Sequence, residues 1–429
     1  MSAQIYSDIR LSRIAATPII NGIGEASDVG EPDWPRYIRI TDIRGLDQLK
    51  SEDRMSLEPA LAAKATVKRD DILMAAVGAT VGSAYIHQSD DPACFAGYLV
   101  RFRADKALAH PRFVAYWTQS SHYGHQIRSG YVGSTIENFS ASKYRAMRIP
   151  LPGLADQREI SQFLDRETAK IDALIDKQEQ LIATLRDDRA ATITQAVTKG
   201  LDSQVELRES GVRWMGAIPA HWCVDRIKNS VESARNGVWG AEPDGGSEDI
   251  RCVRVADFDR PQLAIHDRNI TYRKVTSSER SGRILQRGDL LLEKSGGGDK
   301  NPVGFVVLYE KDEPAICSNF VARVQLAPNQ DPKFWTYVHH CLYQSRLTYP
   351  SIKQNTGIQN LDQQSYFNER VGFPPFAEQS EIVKFLDSRC SRIDALIDKS
   401  VEMIETLSEY RSALITNAVT GKIDVREAV

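Results

Sequence analysis

The feature that most restricts what this chain can fold into is an internal repeat. A shift of 222 positions lays residues 155–202 on residues 377–424 without a gap, and 25 of the 48 positions are identical. Average composition would give roughly three. The run IDALIDK stands at Ile171–Lys177 and again at Ile393–Lys399, FLD at Phe163–Asp165 and Phe385–Asp387, and AVT at Ala196–Thr198 and Ala418–Thr420. Agreement of this length is a duplication, and it fixes the architecture as two tandem copies of one unit.

Both copies predict a long helix. In the first, Ile160, Leu164, Ile171, Leu174, Leu181 and Leu185 follow steps of three and four, with polar Glu167 and Gln178 in the missing places. The second gives Ile382, Leu386, Ile393, Leu396, Met403 and Leu407, interrupted by Arg389 and Ser400. A seam sustained over three to four heptads specifies a helix that packs along another helix. Pro152 and Pro374-Pro375 mark the starts, and Gly200 and Gly421 the ends. Unbroken from about 156 to 199, such a helix is on the order of 65 Å long. The expectation is that the two helices pack on each other as a rigid spacer.

The remaining segments are related more loosely. Tyr37–Asp42 (YIRITD) corresponds to Cys252–Asp257 (CVRVAD), Lys68–Leu73 to Gln286–Leu291, His110–Phe113 to Asp331–Phe334, and Ser134–Phe139 to Thr356–Leu361. The offsets drift from 215 to 222, so the copies share a fold but differ in their loops. Short alternating strands, turn signals and a proline-initiated aromatic helix predict a mixed α/β domain in each. The expected division is globular domains at 1–150 and 203–372, with helical spacers at 151–202 and 373–429. A shared helix beside divergent globular halves is expected when the helix does one task twice and the halves recognise different things, because recognition residues concentrate on loops.

Composition narrows the classes. The 429 residues are 42% hydrophobic and 26% charged, with no long apolar run, so a membrane span or secretory signal is not expected and a cytoplasmic location is. The six cysteines are scattered without a C-x-x-C pair, and His122/His125 and His339-His340-Cys341 are read as ordinary histidine pairs rather than metal ligands. A net charge of −3 lacks the basic excess of a free-standing nucleic-acid binder and suggests that partners share in holding phosphate.

Catalytic patterns are missing. Gly421-Lys422 is followed by Ile, so there is no P-loop. Phe373-Pro-Pro-Phe376 has the shape of an amino-methyltransferase tetrapeptide, but Phe cannot accept a hydrogen bond from an amine, and the other copy reads Leu151-Pro-Gly-Leu154. No glycine motif for S-adenosylmethionine and no nucleophile–base pair stands out. No cofactor is expected on this chain.

The prolines, the Asp156-Gln157 and Glu378-Gln379 steps, FLD, IDALIDK and the terminal AVT resemble the specificity subunits of type I restriction-modification systems. The segment Ser210–Trp222 (SGVRWMGAIPAHW) is similar to the one that opens a target-recognition domain there, as is Glu293–Gly304 (EKSGGGDKNPVG) to a part of it. The first copy lacks the Trp-containing opening and starts instead near Ile5. The resemblance implies a non-catalytic reader of double-stranded DNA. Two mixed α/β target-recognition domains, each on one half of a bipartite site, would be separated by an antiparallel coiled-coil helix pair that fixes the gap. Two methyltransferase subunits would dock on the helices and restriction subunits would join for cleavage. The methyltransferase would carry its own S-adenosylmethionine. The acidic residues Asp156, Asp165, Asp172, Asp176, Asp187 and Asp188 suit a face for protein partners better than a phosphate track.

Base edges are read by Arg, Lys, Asn, Gln, Ser and Thr, and phosphates mostly by Lys, Arg and backbone amides. In the second copy these types gather in the glycine-punctuated loop Lys353, Gln354, Asn355 and Thr356, in the loop with Lys294, Ser295 and Lys300, and at Asn319. In the first, Arg128, Tyr131, Ser134 and Thr135 take the place of the Lys353 loop, Gly78–Thr80 that of Lys294–Ser295, and Gly97-Tyr98 that of Asn319. Two other readings stay open at this point: a coiled-coil scaffold that joins enzyme subunits without reading DNA, and a self-sufficient methyltransferase or nuclease with degenerate motifs.

Overall fold

The computed structural model describes residues 6–25, 30–130, 138–355 and 357–426. Among them no helix is long and apolar enough to cross a membrane. The chain divides into two compact units, residues 1–180 with 400–429 and residues 181–399. Each unit holds one globular half together with a stretch of both long helices, Leu154–Lys199 and Phe376–Val419.

In the first unit a four-stranded antiparallel sheet runs Ile20–Asn21, Leu99–Phe102, Ile72–Ala75, Ala84–Ile86. Its two central strands are buried along their whole length, as near-continuous apolar runs require. A second sheet has Ala93–Phe95 in the middle, parallel to Arg36–Ile38 and antiparallel to Thr66–Val67. The half closes where Ser7–Arg10 pairs antiparallel with Arg148–Leu151, the strand that leads into the first long helix.

The second unit repeats this plan. Its four-stranded sheet runs Val231–Asn236, Val321–Leu326, Leu290–Glu293, Val306–Leu308. In the smaller sheet Asp249–Val253 is central, parallel to Ala315–Cys317 and antiparallel to Tyr272–Lys274. Cys223–Arg226 pairs with Arg370–Phe373, which leads into the second long helix. Both halves are mixed α/β, and the proline-initiated aromatic helices lie at Pro111–Trp117 and Pro332–Gln344, as expected.

The long helices pair antiparallel within each unit. In the first, Ile160, Phe163 and Leu164 share a core with Ile415, Ala418 and Val419, and Asp172 receives Arg411 Nε at 2.8 Å. In the second, Ile193, Ala196 and Val197 share a core with Ile382, Val383, Leu386 and Cys390, while Arg189 meets Asp394 at 3.1 Å. The two ion pairs are one pair made twice, because Arg411 is Arg189 and Asp394 is Asp172 under the 222-residue shift.

The seam differs from the sequence expectation by one residue in its middle. Leu174, Leu181, Leu396 and Met403 are exposed, at 43–51% of their surface. Thr168 and Cys390 are buried where Glu167 and Arg389 were expected, and Ile182 is buried in place of Leu181, while Ser400 is buried at its expected place. The physical reason is that apolar residues stand side by side at Leu174-Ile175 and Leu181-Ile182. Two adjacent seam phases fit the same pattern, and packing selects the one that carries the β-branched residues.

Candidate nucleic-acid interface

The repeated motifs of the helices are largely explained by how each helix holds its globular half. Gln157 and Gln379 are fully buried at equivalent positions. Gln157 Oε1 accepts from the His110 backbone N–H at 2.7 Å, and its Nε2 donates to the Pro152 carbonyl at 2.9 Å. Gln379 does the same with Asp331 N–H at 2.9 Å and the Pro374 carbonyl at 3.0 Å. The amide thus satisfies backbone groups at the start of the aromatic helix and at the strand-to-helix junction, which would otherwise be buried without partners. This assigns the tetrapeptides at 151–154 and 373–376 a structural place.

The aspartate of FLD is equally committed. Asp165 accepts from Tyr116 Oη at 2.6 Å and from Arg112 Nε at 2.7 Å. Asp387 accepts from Tyr337 Oη at 2.9 Å and Lys333 Nζ at 2.9 Å. Burial first, and then Asp165, push the Tyr116 hydroxyl up to about 12, so it remains a donor. Asp188 receives Arg389 at 3.1 Å within the second unit. Asp165, Asp172 and Asp188, expected as part of a partner-facing acidic surface, are therefore engaged inside the chain, while Asp176 and Asp187 stay exposed. Identity between the helices reflects internal docking as well as any external surface.

At the strand ends of each four-stranded sheet lies a rim of polar loops built on a common frame. In the second unit the Lys294 N–H donates to the Phe320 carbonyl at 2.9 Å, and the Lys294 carbonyl accepts from Leu361 N–H at 2.8 Å. Ser295 bridges to Asn360, with Oγ donating to Asn360 Oδ1 at 2.6 Å. In the first unit the Ala76 N–H donates to the Tyr98 carbonyl at 2.9 Å, the Ala76 carbonyl accepts from Phe139 N–H at 2.7 Å, and Val77 bridges to Asn138. The frame therefore equates Ala76-Val77 with Lys294-Ser295, which moves the expected counterpart of that pair two residues toward the N-terminus of Gly78–Thr80. It also sets Tyr98 against Phe320 and Gly97 against Asn319.

The second rim gathers the expected residues. Lys294 is half-buried, Lys300 and Asn319 are exposed, and Lys353 and Gln354 are exposed on the hairpin Ile352–Asn355/Ile358–Leu361. The expected loop is thus a hairpin with Asn355 opposite Ile358, and Gly357, at φ +83°, supplies the positive φ that its tight turn needs. Ser295 is buried, and its hydroxyl joins the loop to the hairpin through Asn360. Lys353 Nζ sits 2.6 Å from Asp362, and its ammonium holds that carboxyl below the ordinary carboxylate range. Tyr343 Oη donates to the Pro302 carbonyl at 3.0 Å and pins the far end of the glycine loop. Thr356 lies outside the described residues.

In the first unit Thr80 and Tyr98 are exposed on neighbouring turns. Arg128 is exposed at the end of the helix Ser121–Ser129, its Nη2 3.2 Å from His125 Nδ1. Tyr123 Oη of the same helix donates to the Gly82 carbonyl at 2.9 Å, tying the Thr80 turn to the Arg128 helix. Tyr131, Ser134 and Thr135 fall outside the described residues.

One shared element of the rim escaped sequence reading. A Cβ on Gly22 would stand 2.2 Å from the Phe95 carbonyl oxygen, and one on Gly237 would stand 2.0 Å from that of Cys317. Both glycines follow an asparagine, and both donate backbone N–H to the strand beside the aromatic turn, Gly22 to Leu99 and Gly237 to Val321. The Asn-Gly dipeptides at 21–22 and 236–237 were the available signal. His339 and His340 are buried in the aromatic helix, His339 Nδ1 2.6 Å from Tyr366 Oη, a core placement.

Comparison with known proteins agrees with this geometry. The family model for the type I restriction modification DNA specificity domain matches residues 45–183. The StySPI specificity subunit of Salmonella potsdam is 25% identical over 333 residues, covering 77% of this chain and 69% of its own. The EcoKI specificity subunit of Escherichia coli K12 is 22% identical over 341 residues, covering 79% and 71%. In fold, the chain resembles a solved structure described as showing complex assembly and conformational transition of the type I R-M system, with TM-score 0.73, 14% identity, and 99% and 100% of the two chains covered. An HsdS subunit from Thermoanaerobacter tengcongensis aligns with TM-score 0.50 at 14% identity over 97% of each chain. In sequence the chain is thus similar to specificity subunits of type I restriction-modification systems.

Proposed function

We propose that this chain chooses the DNA sequence for a type I restriction-modification complex and performs no chemistry itself. The observation that carries the reading is the rim built twice on one backbone frame with different side chains. A pair of rims with equivalent hydrogen bonds but unlike surfaces is what two different half-sites require, and a stiff helix pair is what holds two readers at one spacing. Residues 1–150 and 203–372 serve as target-recognition domains, and 151–202 and 373–429 as spacers.

Thr80, Tyr98, Arg128, Tyr131, Ser134 and Thr135 face one half-site. Lys294, Lys300, Asn319, Lys353, Gln354, Asn355 and Thr356 face the other, with Ser295 positioning its loop. Two methyltransferase subunits, which bring S-adenosylmethionine, and the restriction subunits supply catalysis, and the complex works in the cytoplasm, where its DNA lies. Partner subunits also supply the positive charge that a chain of net charge −3 lacks.

The test is an exchange of residues 1–150 for the corresponding domain of another family member, followed by mapping of modified adenines in DNA from cells that also express the methyltransferase. One half of the modified motif changes and the other stays. An unchanged motif, or methyl transfer by this chain alone, overturns the reading.

A further inference from the structure

Among the described residues, the most exposed large apolar side chain of the first unit and one of the more exposed of the second occupy the same place in the two rims. Tyr98 is 66% exposed and Phe320 47% exposed. Each sits immediately before the inner strand of its four-stranded sheet, Leu99–Phe102 or Val321–Leu326. Each offers its backbone carbonyl to the equivalent amide, Ala76 or Lys294, at 2.9 Å. Next to each lies the Asn-Gly approach, where Asn21 Nδ2 donates to the Gly97 carbonyl at 3.1 Å. The turns are rigid at the backbone, yet the ring on each is left in solvent.

Single exposed hydrophobes on a protein surface are ordinary. Two aromatic rings on equivalent turns of halves whose surrounding residues have diverged are a different observation. Gly97 has become Asn319 and Ala76 has become Lys294, while the aromatic character has stayed. Phe320 stands next to Asn319 in the chain, and the backbone N–H of Lys294 bonds to its carbonyl. A protein-binding hot spot is instead ringed by groups that exclude water. A ring on a rim of lysine and amide groups suits a ligand with both anionic and flat π surfaces, which is duplex DNA.

We infer that Tyr98 and Phe320 are the paired stacking residues of the two rims, each pressing its ring against a base step or sugar face of its own half-site. This rests on the reading of the chain as a DNA specificity subunit and names the contact that reading leaves open. Apolar side chains inserted at base steps unstack and bend the duplex and make binding depend on how readily the sequence deforms. The two rings thereby add selectivity at positions where no hydrogen bond reads an edge.

The experiment uses the full chain assembled with its methyltransferase subunits, a duplex carrying the motif found by adenine mapping, and 2-aminopurine placed at successive positions of each half-site. Phe320→Ala weakens binding roughly tenfold, the effect of losing one aromatic–base stack, and changes aminopurine emission only in the second unit's half-site. Tyr98→Ala does the same in the other half-site, and Phe320→Tyr and Tyr98→Phe keep near wild-type affinity. Alanine variants within twofold of wild type overturn the inference, as does a loss that appears as failed assembly with the methyltransferase. If the 1–150 exchange still moves one half-site while the alanine variants are silent, only this inference fails. If the exchange is silent too, the specificity reading itself fails.

Discussion

Set side by side, the small sheets of the two units differ in where the third strand joins. Both contain one parallel pair, Arg36–Ile38 with Ala93–Phe95 and Asp249–Val253 with Ala315–Cys317. The third strand joins opposite members of that pair: Thr66–Val67 adds to Ala93–Phe95, whereas Tyr272–Lys274 adds to Asp249–Val253. The contacts that fasten each half to the helices, by contrast, repeat nearly atom for atom through Gln157/Gln379, Tyr116/Tyr337 and Asp165/Asp387. Divergence is thus concentrated in connecting segments and rims. Wherever a residue satisfies the backbone of another element, change is penalised in both copies by the cost of an unpaired buried polar group.

The sharpest way to test that division is the buried aspartate that both units pair with an arginine. The arginines occupy different places on the sheet, Arg103 standing two residues past the counterpart of Arg323. Arg323 Nε lies 2.6 Å from Asp289, with side chains 9% and 4% exposed, while Arg103 Nη2 lies 2.6 Å from Asp71 with Arg103 22% exposed. Asp289→Ala strands a buried guanidinium and is expected to destabilise the second unit by about 3–5 kcal/mol. Asp71→Ala leaves an arginine that can reach water and should cost about 1–3 kcal/mol in the first. Hydrogen exchange resolved by unit measures both, and equal losses would break the comparison.

Acid should separate the units next. Burial lowers His339 and His340 of the second unit to about 4. Their unfolded value is about 6.5, so the unfolded chain takes up protons first as pH falls. Their neutral forms cost the fold nothing above that value, and stability is lost progressively between pH 6.5 and 4, by about 3 kcal/mol for each. Of the two, His340 has a buried Nδ1 without a hydrogen-bond partner. His340→Phe is expected to fold at pH 7.5 and to reduce the acid slope, to which buried His87 and half-buried His110 of the first unit also contribute, measured by denaturant unfolding between pH 7.5 and 5. An unchanged slope refutes the assignment.

The smallest effect concerns the duplicated clamp between the helices. Arg189–Asp394 is 13% and 21% exposed and Arg411–Asp172 is 25% and 50% exposed. Arg189→Gln should cost about 1 kcal/mol and Arg411→Gln less, because solvent screens the second pair. The readout is a thermal midpoint for each variant, and a larger loss for Arg411→Gln would reverse the ranking.

Much of this architecture could be read before any coordinates. The helices, their ends and the aromatic helices at Pro111 and Pro332 follow from the repeat, because duplication averages out the noise of a single pattern. The seam phase did not follow, since Leu174 and Ile175 are both apolar and only packing distinguishes them. The rim residues Lys294, Asn319 and Lys353 were found by chemical type, and the structure brings them together. Phe320, paired above with Tyr98 by inference, has no hydrogen-bonding side chain, and a reading by chemical type passes over a phenyl ring. The bond from the Ser295 hydroxyl to Asn360, 65 positions away in sequence, could not be read from the residue types.

The strand pair that closes the second half, Cys223–Arg226 with Arg370–Phe373, also bears on the order in which the chain folds. The contact between Asp188 and Arg389 spans 201 residues. Once Cys223–Arg226 has met Arg370–Phe373, the slack between those two helical residues falls to roughly fifty residues, and the closure entropy drops by on the order of 1 kcal/mol. The second half therefore acts as a staple, and the helices are expected to zip together only after that half, which lies between them in sequence, has formed.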